Sequence, residues 1–462
     1  MVSELPPEEC LTLSPETAPV PGLRYVVTAG GSLIGRVRVP GDKSISHRAI
    51  MLGAIADGET HVSGFLEGAD SLATLAAFRA MGVVIDGPAF GRVRIEGVGL
   101  HGLKAPEAAL NMGNSGTSMR LLSGLLAGQR FATTLTGDAS LSRRPMQRVT
   151  EPLTRMGARI GTSAQGTAPL HITPADGLVG IDYAMPVASA QVKSSLLLAG
   201  LYAQGQTCVT EPAPTRDHTE RMLTAFGYRV HRSGPRVCLQ GGERLNAAPI
   251  SVPADISSAA FFLVGASIAP GSNVTLEQVG INPTRIGVIN ILRSMGADLT
   301  LINARALGGE PVADICVRSA ALRGTVIPAD QVPLAIDEFP ALFIAAACAD
   351  GETLLTGAEE LRVKESDRIA VMAAGLAALG IEAEVLPDGI RIQGRGEAGG
   401  GALWDGGRVD SHGDHRIAMA FAMAALRATG PVEILDCANV NTSFPGFAGI
   451  AASAGLGILE QA

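Results

Sequence analysis

The chain is poor in lysine and in aromatic residues, and each shortage excludes something. Of 36 basic residues only Lys43, Lys104, Lys193 and Lys364 are lysines, and no basic block forms anywhere. With a net charge of −8 there is no footprint for nucleic acid. Aromatic residues make up 4% of a chain that is 47% hydrophobic, so its cores are built from Ala, Leu, Ile, Val and Met. No uninterrupted apolar run reaches the ~20 residues of a membrane span. The cysteines (Cys10, Cys208, Cys238, Cys316, Cys348, Cys437) are scattered with no C-x-x-C pair. That argues against zinc and against a disulfide framework, and predicts reduced thiols in a cytoplasmic enzyme. The segment 1–21 is acidic and holds five prolines, where a signal peptide would be basic and then apolar. The expectation is a disordered tail, 1–22, and no membrane association. Gly41-Asp42-Lys43-Ser44 lacks the spaced glycine of a P-loop, no GxGxxG joins a strand to a helix, and no H-E-x-x-H occurs. Neither a cofactor nor a metal is expected.

What is present is repetition. At 462 residues the chain is too long for one ordinary core, and two domains are the natural prior. Helix-like runs ending in glycine recur at Gly82, Gly157, Gly227, Gly296, Gly380 and, more weakly, Gly455, with spacings of 75, 70, 69, 84 and 75 residues. Glycine there suits a C′ position, where left-handed backbone ends a helix. A second series of apolar helix-like runs keeps step with the first, at 49–62, 121–135, 192–209, 259–276, 341–355 and 417–434. Chance accounts for two or three such matches; six in alternating register point to duplication of a βαβ-containing unit. Three units per domain follow. Val39-Pro40-Gly41-Asp42 is echoed by Val252-Pro253-Ala254-Asp255, which places two crossings between domains there. Domain II is then 42–252, and domain I is 23–41 with 253–462. A ligand site between them is the default expectation.

The helix openings carry the chemistry. At the first, a β-like run is stopped by Pro40-Gly41, and Lys43, Ser44, Ser46 and Arg48 lead into a helix-like run. Free N–H groups and the positive end of the helix dipole suit a phosphate or carboxylate there. Similar openings hold Ser189-Ala190-Gln191-Val192-Lys193, Arg143-Arg144-Pro145, Thr215-Arg216, Arg362 to Arg368 and Asp414-His415-Arg416. Ordinary N-capping explains Asp255, Ser257 and Thr284. It does not explain cations at a helix start, which the dipole disfavours. Lys43, Arg48, Arg144, Arg216, Lys364, Arg368 and Arg416 make sense there if a polyanion completes the charge balance. Arginine forks would grip it bidentately and lysines as point charges. Asp337 and Glu365, set among these cations, are candidates for proton transfer, whereas Asp367 and Asp414 read as structural ion pairs. Lys104, in a loop between turn residues, reads as an accident of composition.

These residues resemble the 5-enolpyruvylshikimate-3-phosphate synthase family of enolpyruvyl transferases. The resemblance runs from about Leu33 onward. It rests on Pro40 to Arg48, Gly113-Asn114-Ser115-Gly116-Thr117, Arg144-Pro145-Met146, Ser189 to Ser194, Arg362 to Arg368 and Asp414-His415-Arg416. It implies an α/β fold of two inside-out barrel-like domains, each of three βαβαββ-type units, in agreement with the repeat count. It also implies transfer of the enolpyruvyl group of phosphoenolpyruvate to the 5-hydroxyl of shikimate 3-phosphate, on the route to chorismate and the aromatic amino acids. By the same resemblance Lys43 touches both substrates, and Ser44, Arg48, Ser189, Ala190, Gln191, Arg216, Asp337 and Lys364 bind shikimate 3-phosphate. Asn114, Gly116, Arg144, Gln191, Arg368 and Arg416 bind phosphoenolpyruvate. Asp337 accepts the proton of the attacking hydroxyl, Glu365 protonates the methylene carbon, and Lys43 and Lys364 help neutralise phosphate.

Two departures stand out. Thr442 precedes Ser443-Phe444-Pro445 where many members carry lysine, so the residue that usually makes one of the phosphate contacts is replaced. Gly116 stands where some members carry alanine, which leaves room for the inhibitor glyphosate. Two rival readings fit the residues less well. The related enolpyruvyl transferase acting on a UDP-amino sugar needs a cysteine acid and Lys-Asn at the first opening; here Lys43 is followed by Ser44, and no cysteine lies between Cys10 and Cys208. A non-catalytic phosphometabolite binder would not need both Asp337 and Glu365. No feature is dedicated to an interface, so a monomer is expected.

Overall fold

The computed structural model describes residues 22–396 and 401–462, so the expected tail falls outside the described residues apart from Gly22, as does Cys10. Twelve α-helices occur among the described residues. They are α1 (Lys43–Ile55), α2 (Ala69–Ala80), α3 (Gly116–Ala127), α4 (Gln147–Arg155), α5 (Ala190–Gly200) and α6 (His218–Ala225). They continue with α7 (Ile256–Ile268), α8 (Gly287–Ser294), α9 (Phe339–Ala347), α10 (Arg368–Ala378), α11 (His415–Ala424) and α12 (Phe447–Ser453). The even-numbered helices end where glycine was expected to end them. Gly82 and Gly227, at φ +85° and +78°, take the left-handed turn, and the other four copies do the same.

Six sheets share one plan. In the simplest, Leu110–Asn111 runs parallel to Thr133–Thr136, which pairs antiparallel with Leu170–Thr173, which pairs antiparallel with Arg159–Gly161. One sheet has three strands, and parallel bridges at Arg323↔Asp350 and Val326↔Leu354 stand in for the fourth. Three strands come from far along the chain. Ile250–Ser251 returns to pair with Asp57–Ser63. Ile34–Val37 joins Asn273–Gly280, and Arg24–Val27 lies between Val432–Leu435 and Ile458–Gln461. A small parallel pair, Leu178–Val179 with Ala203–Gln204, is added to these.

Two separate cores result. One is made of residues between Ile45 and Val252, the other of Leu23 to Val39 with Ala254 to Ile458. The odd-numbered helices lie inside: α7, α9 and α11 are buried along their whole length and pack on one another. Their sequences are apolar all round, as a helix with no solvent face must be. No helix among the described residues is long and apolar enough to cross a membrane.

The two crossings lie side by side. Gly41 and Ala254 form an antiparallel bridge, Asp42 N–H donates to Pro253 O at 2.8 Å, and Asp255 N–H donates to Pro40 O at 2.9 Å. Gly41 is required here: a Cβ would sit 1.8 Å from the Gly64 carbonyl oxygen. Asp42 and Asp255 each cap the helix that follows. Both also receive Arg285, at 2.9 and 3.1 Å.

The thiol expectation is corrected. Cys208 and Cys238 form a disulfide, directly opposite on the antiparallel strands Gln206–Thr210 and Arg236–Gln240, while Cys316, Cys348 and Cys437 are free. A search for short-range cysteine pairs misses two residues that only sheet register brings together. The capping expectation is corrected at two positions as well. Ser257 lies inside α7, where it donates to Glu338 and accepts from Arg285. Thr284 donates to Asn282 rather than capping α8, which starts after Ile286.

Candidate active site

The openings of α1, α3, α5, α10 and α11 converge on one cleft between the two cores. Its walls carry nine cations against five carboxylates, in a protein whose net charge is −8. Such a wall concentrates anions locally whatever the sign of the whole molecule. Lys43, Ser44, Gly116, Arg144, Ser189, Gln191, Arg216, Asp337, Lys364, Glu365, Arg368 and Arg416 all line it. Arg48, Asn114 and Ala190 do not. Arg48 is buried behind the wall, held by Thr219 and Ser194 and looped back to the Ser44 carbonyl. Asn114 accepts from Arg144 Nη2 at 2.8 Å, and Ala190 is the first residue of α5.

Local structure explains the placement. Asp42, Ser115, Ser189, Asp367 and Asp414 cap the helices after them with their own side chains, which leaves the neighbouring cations free to turn into the cleft. Asp367 pairs with Arg362, and Asp414 accepts from Arg368 Nε at 2.8 Å, so both have the structural role expected of them.

Cations meet carboxylates both across the cleft and along a single wall. Arg216 bonds Asp337, Arg144 Nη1 lies 3.5 Å from Glu365 Oε1, and Arg148 Nη1 lies 2.8 Å from Glu360 Oε2. Arg368 reaches Glu365 at 2.5 Å and Asp337 at 3.4 Å, Lys364 reaches Asp337 at 3.5 Å, and Arg416 donates to the Asp337 carbonyl. Lys43 pairs with Asp70 at 3.0 Å. The space left is about 90 Å³, well below the ~300–1,000 Å³ of ligand pockets. In this arrangement the walls must part before a sizeable ligand can enter.

Burial alone would push the Asp337 carboxyl up, but Arg216, Lys364, Arg416 and Arg368 outweigh it and hold the pKa well below the usual value. Glu365 behaves alike: burial raises it, and Arg368 and Arg144 bring it well below. Both are therefore ionised at neutral pH. Burial keeps His415 neutral, with Lys43 and Arg416 adding to the effect. Among the described residues no His, Cys, Asp and Glu cluster suits a metal ion.

Sequence reasoning overlooked Asp70, Arg120, Arg148, Arg285, Glu360 and His415, all of which line the cleft. His415 lies within an opening named above, and Arg120 lies just beyond the Gly113 to Thr117 motif; Asp70 and Glu360 give no local signal. Lys193 goes the other way. It is wholly buried beside Glu211 and Glu220, not in the cleft. Thr442 is buried, does not line the cleft, and donates to Asn439 O.

Comparison with known proteins places this cleft in context. The family model for EPSP synthase (3-phosphoshikimate 1-carboxyvinyltransferase) matches residues 27–450. The 3-phosphoshikimate 1-carboxyvinyltransferase of Alkalilimnicola ehrlichii is 70% identical over 436 residues, 94% of this chain and 96% of that one. The protein of that name from Methylococcus capsulatus is 68% identical, covering 94% and 98%. A solved structure of EPSP synthase from Acinetobacter baumannii superposes with a TM-score of 0.86 at 59% identity, covering 96% of this chain and 100% of that one.

Proposed function

The chain belongs to the EPSP synthase family, and on that premise we propose how its residues share the work. It is a 3-phosphoshikimate 1-carboxyvinyltransferase: it moves the enolpyruvyl group of phosphoenolpyruvate onto the 5-hydroxyl of shikimate 3-phosphate and releases phosphate. We assign the two cores to two domains, 42–252 and 23–41 with 253–462, each an inside-out barrel with helices within and sheets without. The protein works as a cytoplasmic monomer on small-molecule substrates.

In this reading Ser44, Arg48, Ser189, Ala190, Gln191, Arg216 and Lys364 hold shikimate 3-phosphate. Asn114, Gly116, Arg144, Gln191, Arg368 and Arg416 hold phosphoenolpyruvate, and Lys43 serves both. Asp337, held ionised by its cations, takes the proton of the 5-hydroxyl as that oxygen bonds to C2 of phosphoenolpyruvate. Glu365 delivers a proton to the methylene carbon. Loss of phosphate from C2, with return of a methyl proton to Glu365, restores the carbon–carbon double bond and forms the enol ether.

Glu365 starts ionised and so must gain a proton first. The anionic groups of the substrates compete for Arg144 and Arg368, the two cations that stabilise its carboxylate most. Their withdrawal, in a site that burial already disfavours for charge, raises the Glu365 pKa. The single observation behind this reading is the pairing of the cleft's cations with its own acids, which substrate anions can replace. Phosphate release from shikimate 3-phosphate and phosphoenolpyruvate, and none with a UDP-amino sugar, is the expected assay result. Binding of both substrates without release would sink the catalytic assignments.

Gly116 supports a second expectation, competitive inhibition by glyphosate. A Cβ at that position would lie 3.1 Å from nitrogens of both Arg120 and Arg144. Gly116→Ala is expected to weaken inhibition about tenfold, since crowding of this kind costs ~1–3 kcal/mol. An unchanged inhibition constant would show that the position does not border the inhibitor.

A further inference from the structure

Behind the residues assigned to shikimate 3-phosphate lies a buried polar network that the reaction does not use. Lys193 Nζ sits 3.0 Å from Glu211 Oε2 and 2.7 Å from Glu220 Oε1, with the lysine side chain fully buried. The same Glu211 oxygen accepts from the Thr215 N–H at 2.9 Å and from the Thr215 hydroxyl. Lys193 also donates to the Thr215 carbonyl at 3.4 Å. The loop from Glu211 to Thr215 is thereby folded onto one carboxylate, and the next residue is Arg216. Lys193 belongs to α5, whose first turn carries Ser189 to Gln191. Its neighbour Ser194 accepts from Arg48 Nη2 at 2.8 Å, and Thr219, beside Glu220, accepts from Arg48 Nε at 2.7 Å.

Arg48, the start of α5 and Arg216 thus rest on one network. The phosphoenolpyruvate cations do not: among the described residues the side chains of Arg144, Arg368 and Arg416 bond only to Asn114, Ser140, Glu365, Asp337 and Asp414. We propose that Glu211 and Lys193 are positioning residues for the shikimate 3-phosphate half of the site, fixing Arg216 relative to the opening of α5. Neither touches substrate. A half-satisfied buried pair is worse than none, so breaking it displaces the loop, whereas removing both partners relieves the strain in part.

This rests on the half-site assignments above, and the test separates the two. Glu211→Gln keeps the shape and removes the charge. Its KM for shikimate 3-phosphate is expected to rise about tenfold, the effect of ~1.4 kcal/mol, with KM for phosphoenolpyruvate and kcat within about twofold. The double variant with Lys193→Met is expected to recover part of that loss. Thr215→Val, which removes only a hydroxyl, gives a smaller rise of the same kind and serves if the carboxylate variant does not fold. Arg216→Lys is the control: if it leaves KM for shikimate 3-phosphate unchanged, the half-site assignment fails. If Arg216→Lys raises it while Glu211→Gln and Thr215→Val move neither KM, or move both together, the positioning role is overturned.

Discussion

The crossing side and the cleft side of the boundary between the two cores use the same residue types for opposite ends. At the crossings, Arg285 is buried with Asp42, Asp255 and Glu338, and its side chain is 3% exposed. Burial would lower its pKa, but these acids raise it overall. At the cleft, Arg144, Arg148 and Arg216 face Glu365, Glu360 and Asp337. What differs is the choice of partner. Arg285 borders the cleft but is held by three carboxylates at once, so the cluster fixes the crossings. In the proposed function, substrate phosphates and carboxylates replace those of the cleft, and the same kind of bond becomes a reversible closure.

The largest effect is expected from Arg285→Met. It leaves three carboxylates buried without a cation, and stability should fall by about 3–5 kcal/mol, read from urea denaturation. A loss no larger than that of an exposed pair would erase the distinction. Lys43→Met probes the other side. kcat/KM should drop by ~10²–10³ or more, the scale for losing a group that stabilises charge in the transition state, with the melting temperature little changed. A variant that kept near wild-type turnover would remove Lys43 from the mechanism.

Acid acts on the cleft side. The Asp337 and Glu365 pKa values are depressed below 3.8 and 4.5 in the folded protein. Their contribution to closure is therefore complete above the ordinary carboxylate range and is lost as pH falls through the depressed values. Without substrates, the radius of gyration by small-angle scattering should stay constant down to about pH 4 and grow only below it. Growth starting nearer neutrality would mean that other groups hold the walls together. The smallest effect is expected at Arg148 and Glu360, 36% and 29% exposed, which join the walls without belonging to the substrate set. Such a pair contributes ~0.2–1 kcal/mol, so Arg148→Gln should raise both KM values by no more than about fivefold. Exchanging the two charges should restore them; failure to do so would deny the pair a part in closure.

The sequence made the repeats legible because each needs glycine at one turn, and it made the cations legible because their positions conflict with helix electrostatics. It did not reveal the partners. Arg285 stood beside Thr284, which was read as a cap, and nothing local pointed to aspartates 243 and 30 residues away. Lys193 was noticed for its rarity and placed in an opening. Yet its position on α5 turns it inward, to a glutamate 18 residues on. The disulfide escaped for the same reason: long-range register is a property of the folded sheet, not of spacing.

The route of the chain has a consequence for the order in which the protein is made. All the strands of the sheets around the 42–252 core have left the ribosome once residue 252 has, so that half can fold during synthesis. The other half cannot. Arg24–Val27 is made early, but its neighbours are Val432–Leu435 and Ile458–Gln461. A nascent chain stalled just after residue 252 has emerged from the ribosome is expected to carry one finished lobe behind two strands, Arg24–Val27 and Ile34–Val37, whose partners are not yet available.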